Sequence, residues 1–192
     1  MKFVFATRNK HKVTEIQLLI PAPIRVLSLH DVNCMEDIPE TTPTIEGNAS
    51  QKAYYVYEKY HHNCFADDTG LEIEALGGKP GVKSARYAGD ESDSEKNIAK
   101  VLTELDGVAN RNARFKTVIS LVIDGREVQF EGTIYGTILH ERRGEKGFGY
   151  DSIFAPLNHP CTFAEMDLEE KNKISHRALA VNKLVEYLNK LA

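Results

Sequence analysis

The sequence predicts an α/β fold built on a mixed β-sheet. Three observations carry that prediction. Runs of β-formers alternate with amphipathic helical runs through the N-terminal half, in the order βαβαβ. Asp124-Gly125 then divides two long β-rich runs, as the turn of a hairpin does. Finally, the chain closes on an amphipathic helix.

The elements follow in order. Lys2 to Ala6 reads as the first strand, and Val13, Ile16, Leu19 and Ile20 recur at helical spacing after it. Pro21 and Pro23 end that helix, and Ile24 to Leu29 reads as the second strand. Asp31 to Thr44 is a polar, proline-bearing connection. A second helix is expected from Asn48 to about His61, burying Ala49, Ala53, Val56 and Tyr60. Cys64 to Asp68 reads as a short strand, Leu71 to Leu76 alternates with period two, and Gly77 to Gly89 reads as a loop. Ser94 to Leu105 carries Ile98, Val101, Leu102 and Leu105 on one helical face. Phe115 to Asp124 and Glu127 to Leu139 form the predicted hairpin, followed by the glycine-rich stretch Gly144 to Asp151. Ser175 to Leu191 is the closing helix, with Ala178, Val181, Leu184, Val185, Leu188 and Leu191 on its apolar face. No repeat, low-complexity tract or shift in composition marks a linker, so a single domain, 1–192, with two lobes fits.

Composition sets the limits on function. The chain has 192 residues, 24 Lys and Arg against 28 Asp and Glu, and a formal net charge of −4. Hydrophobic residues at 42% and charged residues at 27% support a sizeable core and exclude a disordered chain. The mildly acidic balance argues against a binder of nucleic-acid polymers or anionic membranes, which carries a basic excess. A small nucleotide remains compatible, because one phosphate site needs only a few well-placed cations. Cys34, Cys64 and Cys161 are odd in number and widely spaced, supporting neither a disulfide framework nor a zinc site. The opening MKFVFATRNKHK runs from apolar to basic, the reverse of a signal peptide, and no apolar run approaches the ~20 residues of a membrane span. A cytoplasmic protein is expected.

Five groups of residues could carry chemistry. Thr7, Arg8, Asn9, Lys10, His11 and Lys12 stand between the first strand and the first helix, where α/β proteins bind ligands and where helix N-termini favour phosphate. The same residues also describe a capped helix with a solvated basic turn. In Ala66-Asp-Asp-Thr-Gly70, adjacent strand residues face opposite ways, so one of Asp67 and Asp68 points at a site and the other at structure. Periodicity does not choose between them. Glu46, just before the second helix, and Lys52, within its first turns, read in isolation as dipole and surface residues. Gly147-Phe-Gly-Tyr-Asp151 lets backbone approach a flat ligand, with Phe148 offering a stacking face, though a tight turn around a core phenylalanine has the same pattern. Lys171 and Ser175-His-Arg177 complete the set, with Ser175 expected to cap the last helix. Neither GxxxxGK[ST] nor GxGxxG occurs, which sets aside P-loop NTPases and dinucleotide-dependent dehydrogenases.

Together, TxNxxK at Thr7 to Lys12, Glu46-Gly-Asn-Ala49 with Lys52, Ala66 to Leu71, Leu76 to Gly81, Ser84 to Tyr87, Gly147 to Asp151, and Glu170-Lys171 with Ser175-His-Arg177 resemble the inosine triphosphate pyrophosphatase family. The resemblance covers nearly the whole chain. It implies an elongated α/β fold with a central cleft between two lobes, usually in a homodimer. It also implies Mg²⁺-dependent hydrolysis of noncanonical purine nucleoside triphosphates (ITP, dITP, XTP) at the α-phosphorus, giving monophosphate and pyrophosphate. By the same resemblance, Thr7 to Lys12 and Lys52 hold the triphosphate with Thr69 beside it, and Asp68 is catalytic residue and metal ligand. Glu46 is a second metal ligand. Phe148, Gly149, Tyr150, Asp151, Lys171, His176 and Arg177 form the nucleoside pocket. Arg8 stands where many members have glycine, Thr69 replaces a common serine, and Lys146 precedes Gly147 where a second glycine is frequent. A nucleotide sensor without turnover is disfavoured, because Asp68, Glu46 and the lysines are all present.

Overall fold

The structure, a computed structural model, describes residues 1–191. Seven strands and five α-helices follow in chain order: β1 Lys2–Phe5, α1 Lys10–Leu19, β2 Arg25–Leu27, α2 Ile45–Tyr60, β3 Cys64–Ile73, β4 Pro80–Gly81, α3 Ser94–Glu104, β5 Asn112–Ile123, β6 Arg126–Ile138, β7 Phe154–Pro156, α4 Leu168–Ile174 and α5 His176–Leu191. The sheet has the order β2-β1-β3-β5-β6-β7, with β4 pairing β3. It is mixed: β1 runs parallel to β2 and β3, while β3–β4 and β6–β7 are antiparallel. The α/β class read from the sequence is therefore the class observed. Among the described residues, no helix is long and apolar enough to cross a membrane.

The chain divides into two compact units. The first comprises Met1–Asp68, Thr117–Gly132 and Arg177 onward; the second comprises Thr69–Lys116 and Thr133–His176. In the first unit, strand alternation sorts apolar residues into two cores. Phe3, Phe5 and Phe65 pack with Ile16 of α1 and with Val181, Leu184 and Leu188 of α5. Their neighbours Val4, Ala6, Cys64 and Ala66 turn to Ala53 and Val56 of α2 instead. Phe5 and Phe65, paired across β1 and β3, stack at 4.8 Å between ring centroids. In the second unit a single core gathers Leu71, Ile73, Val101, Phe115, Phe154 and Phe163. There the buried Arg111 guanidinium donates to the carbonyls of Leu105, Ile138 and Leu139.

Three local expectations are corrected. The two pieces expected at Cys64–Asp68 and Leu71–Leu76 are one strand to Ile73, followed by a 3₁₀ turn at Glu74–Leu76. Thr69-Gly70 does not break it, because Leu71 and Glu72 pair with β4 and the Leu71 N–H donates to Ser84 Oγ at 2.8 Å. The expected loop at Gly77–Gly89 contains β4 and a 3₁₀ turn at Ser84–Arg86. A short helix, α4, not expected from the sequence, precedes α5; Ser175 ends it with its N–H donating to the Lys171 carbonyl and stands directly before α5, the position expected of that helix's cap. The hairpin turn stands where Asp-Gly predicts it, with φ of 48° at Asp124 and 79° at Gly125.

Candidate functional site

In the first unit, the face rule that sorts the core also sorts the two aspartates. Asp67 shares the face of Phe65, towards α1 and α5; Asp68 shares the face of Cys64 and Ala66, towards α2. Each meets a cation standing on a helix's buried stripe. On α1, Lys12, Glu15, Ile16 and Leu19 fall at i, i+3, i+4 and i+7. On α2, Ile45, Asn48, Ala49, Lys52, Ala53 and Val56 form the buried stripe. On α5, Arg177 leads the stripe of Ala180, Val181, Leu184 and Leu188.

Around Asp67 this geometry closes a buried network of four charges. Lys12 Nζ donates to Asp67 Oδ1 at 2.9 Å, Arg177 Nε reaches Asp67 Oδ2 at 3.3 Å, and Arg177 Nη1 donates to Glu15. The Asp67 side chain is 0% exposed and that of Arg177 is 2%. Burial alone would raise the Asp67 carboxyl, but Lys12, Arg177 and Lys52 outweigh it and hold the group well below the usual carboxylate range. Two cations and two carboxylates balance, which is the condition for keeping them in a core. Glu15 has no counterpart among the residues expected from sequence; its signal is an acid at a buried stripe position.

Asp68 sits in the opposite electrostatic state. Lys52 Nζ lies 3.2 Å from Asp68 Oδ1 and 2.6 Å from Glu40 Oε1. Asp68 Oδ2 is buried, with no hydrogen-bond partner among the described residues. Burial raises the Asp68 carboxyl above its ordinary value, Lys52 and Lys12 pull against that, and Glu40 and Asp67 add to it. Lys52 is itself buried, yet Asp68 and Glu40 hold its ammonium above the ordinary lysine range despite the desolvation. Adjacent carboxyls pushed in opposite directions are a signature of divided labour in a reactive site.

The carboxylate that shares Lys52 with Asp68 is Glu40, a residue outside the sequence reading, which names Glu46 as the metal ligand beside Asp68. Glu46 lies in the first turn of α2, and its carbonyl accepts from Gln129 Nε2 at 3.4 Å. Glu40 is delivered by an irregular segment. Thr41 N–H donates to Gln51 Oε1 at 2.8 Å, and Thr42 N–H and Oγ both reach Asn48 Oδ1, at 3.0 and 2.9 Å. Gly47 permits this approach, since a Cβ there would stand 2.5 Å from Thr42 Oγ1. Two acidic side chains beside one lysine, one with a buried unpartnered oxygen, fit a hard divalent cation that takes its remaining ligands from water and phosphate. Among the described residues no group of three or more His, Cys, Asp or Glu could hold a metal unaided.

The loop after β1 is part structure and part surface. Asn9 caps α1, its Oδ1 accepting from the N–H of His11 at 3.0 Å and of Lys12 at 3.3 Å; Thr7 Oγ1 accepts from Asn9 N–H at 3.2 Å. Lys10 and His11 are exposed on the first turn. Arg8 turns to the 36–37 segment, donating to the Glu36 carbonyl and to Asp37 Oδ1.

In the second unit, Lys171, 3% exposed, donates to Asp151 Oδ2 at 2.7 Å and lies over the rings of Phe148 and Phe163 at 5.0 and 5.5 Å. The same Oδ2 accepts from Phe148 N–H at 2.9 Å. Gly147, at φ +76°, is required here, because a Cβ would stand 2.1 Å from that oxygen. His176 is buried and stacks on Phe115 at 4.6 Å. Tyr150 is also buried, its hydroxyl donating to the Ser84 carbonyl at 2.8 Å. Thr69 is half-buried on β3, and Gly149, at φ +60°, borders open space. A buried ammonium between aromatic faces is a donor held in a dry, flat-walled environment, suited to a carbonyl on a planar ring.

Known proteins resemble this chain over nearly its whole length. A sequence profile of the Ham1 family matches residues 3–187. The chain is 53% identical over 188 residues to the dITP/XTP pyrophosphatase of Flavobacterium johnsoniae, covering 98% of both chains. It is 55% identical over 190 residues to the dITP/XTP pyrophosphatase of Christiangramia forsetii, covering 99% of this chain and 100% of the other. Its fold is similar to the Ham1 protein structure from Staphylococcus aureus, with a TM-score of 0.91, 36% identity and full coverage of both chains.

Two predictions follow from the charge geometry. Carbon-detected NMR titration of the metal-free protein finds Asp68 above and Asp67 below the ordinary 3.8, and Glu40→Gln moves Asp68 downward, since Glu40 raises it. Two aspartates titrating together near ~3.9 would contradict the split. Gly147→Ala displaces Asp151 from Lys171, leaving a buried ammonium without its carboxylate and lowering stability by about 3 kcal/mol in urea unfolding.

Proposed function

The chain belongs to the Ham1 family, and on that premise we propose that it hydrolyses noncanonical purine nucleoside triphosphates (ITP, dITP and XTP) to the monophosphate and pyrophosphate. The observation that carries this reading is Asp68: a buried carboxylate with one oxygen on Lys52 and the other unpartnered among the described residues. That second oxygen can hold and deprotonate a water for attack on the α-phosphorus. As the water oxygen bonds to phosphorus, the bridge to the β-phosphate breaks and pyrophosphate leaves with its electron pair.

Lysine cations serve the departing charge. Lys12 has three N–H donors and gives one to Asp67, so others are available to a phosphate oxygen. Lys52 keeps its charge through Asp68 and Glu40 and stands ready at the carboxylate that handles the water. Asp68 and Glu40 are the residues that would hold Mg²⁺, which supplies neutralisation of the polyphosphate when bound. Asp67, Arg177 and Glu15 keep Lys12 in place.

Base choice belongs to the second unit's buried group. Phe148 offers a face for a purine ring, and Lys171 offers a donor suited to the 6-oxo oxygen of hypoxanthine or xanthine. Adenine presents a 6-amino donor instead, so the contact from the ammonium to the ring is lost at a cost of ~1–3 kcal/mol, while the Asp151 pair remains. A homodimer and a cytoplasmic location belong to the same reading, supported by the family kinship. So does the assignment of the whole chain to one pyrophosphatase domain, supported by the profile match over residues 3–187.

The test is a panel of ITP, dITP, XTP, GTP and ATP with Mg²⁺ in ¹⁸O-labelled water, followed by phosphorus NMR and mass spectrometry. The expected products are pyrophosphate and a monophosphate carrying the label, with ITP and XTP favoured over ATP by about a hundredfold. Release of orthophosphate, label in the pyrophosphate, or equal turnover of ATP would overturn the reading.

A further inference from the structure

The segment that brings Glu40 to Lys52 is fastened on both sides. Downstream, Thr41 and Thr42 bond to Gln51 and Asn48 of α2. Upstream, the Glu36 carboxylate accepts from Tyr60 Oη at 2.6 Å and Tyr55 Oη at 3.1 Å, with Lys59 paired to it. Lys59 and Tyr60 together hold that carboxyl down to about 2, so it stays an acceptor throughout the working pH range. These fastenings all lead to α2.

Arg8 is different, because it comes from the loop after β1. Its Nη1 donates to Asp37 Oδ1 at 3.0 Å and its Nη2 donates to the Glu36 carbonyl. Both terminal nitrogens of the guanidinium are thus engaged on the 36–37 segment, using the planar fork that distinguishes arginine from lysine. Three residues further along the chain from Asp37 stands Glu40, on Lys52.

We propose that Arg8 is a positioning residue for Glu40: it straps the 36–37 segment to the loop after β1 and thereby sets where the second carboxylate stands beside Asp68. This inference rests on the reading that Asp68 and Glu40 hold the divalent cation. It gives Arg8 a task other than the phosphate contact implied by the family resemblance, and the two tasks have different signatures. A phosphate ligand changes affinity for nucleotide and pyrophosphate. A strap on the acidic segment changes affinity for the metal, in the free chain and without nucleotide present.

The probe is Mn²⁺, followed by electron paramagnetic resonance on the full chain, in parallel with the Mg²⁺ dependence of ITP hydrolysis. Arg8→Ala is expected to weaken Mn²⁺ binding about five- to tenfold and to raise the Mg²⁺ half-saturation by a similar factor. KM for ITP at saturating Mg²⁺ moves by less than about twofold on this account. Arg8→Lys, which keeps the charge and loses the fork, behaves like Arg8→Ala. Asp37→Asn weakens Mn²⁺ binding in the same direction by about two- to threefold, because the bond to the Glu36 carbonyl remains. Unchanged Mn²⁺ binding in Arg8→Ala, or wild-type binding in Arg8→Lys, would overturn the proposal while leaving the metal reading intact. A raised KM for ITP with unaltered metal dependence would return Arg8 to the phosphate. A wild-type chain that binds no Mn²⁺ would overturn the metal reading itself, and the strap with it.

Discussion

The constraint on which the rest depends is the alternation of side chains along β3 at Asp67-Asp68. Two carboxylates on successive strand residues cannot share a surface, so each needs its own answer to burial. The apolar residues before them decide which way each turns: Phe65 belongs to the core of α1 and α5, and Cys64 and Ala66 to the core of α2. The first unit therefore places cations on three helices at the positions where those carboxylates arrive. Lys12 and Arg177 answer Asp67; Lys52 answers Asp68.

The two answers differ in completeness, and that difference is chemically useful. Asp67 has both oxygens engaged and a strongly favoured charge, so it is a fixed anion around which Lys12 and Arg177 are oriented. Asp68 has one oxygen engaged and one buried without a partner among the described residues, in a neighbourhood that already contains Glu40. An unsatisfied buried acceptor costs ~1–3 kcal/mol and persists where a function uses it. Stability from the first aspartate and reactivity from the second thus come from one dipeptide. The second unit repeats the logic: Lys171 is neutralised by Asp151, yet its ammonium remains between aromatic faces as a directed donor.

Much of this was legible in the sequence, and the failures have physical reasons. Helix stripes on α1, α2 and α5 and the Asp-Gly turn follow from periodicity and turn chemistry, and the structure has them. The same stripes carried a signal that apolar counting passes over. Glu15, Lys52 and Arg177 occupy buried stripe positions and Lys12 a half-buried one, and a charge there implies a buried partner. Glu40 was not legible, because it is delivered by an irregular segment whose course depends on side chains of Asn48, Gln51 and Arg8. The α4 helix is too short to show a period, although Asp167 and Glu170 form a capping box that the sequence displays. Burial of Tyr150 and His176 was hidden too, since a motif gives residue order and not side-chain direction.

The division of labour between the aspartates is tested most directly by comparing Asp67→Asn with Asp68→Asn for thermal unfolding and for single-turnover pyrophosphate release. Asp67→Asn is expected to cost about 3–5 kcal/mol of stability, because it strips a buried carboxylate from two cations. Asp68→Asn is expected to leave stability unchanged or slightly higher, since it removes a carboxylate whose ionised form burial disfavours, and to abolish pyrophosphate release. The reverse pattern, a stable and inactive Asp67→Asn beside an unstable and active Asp68→Asn, would contradict the account at its base.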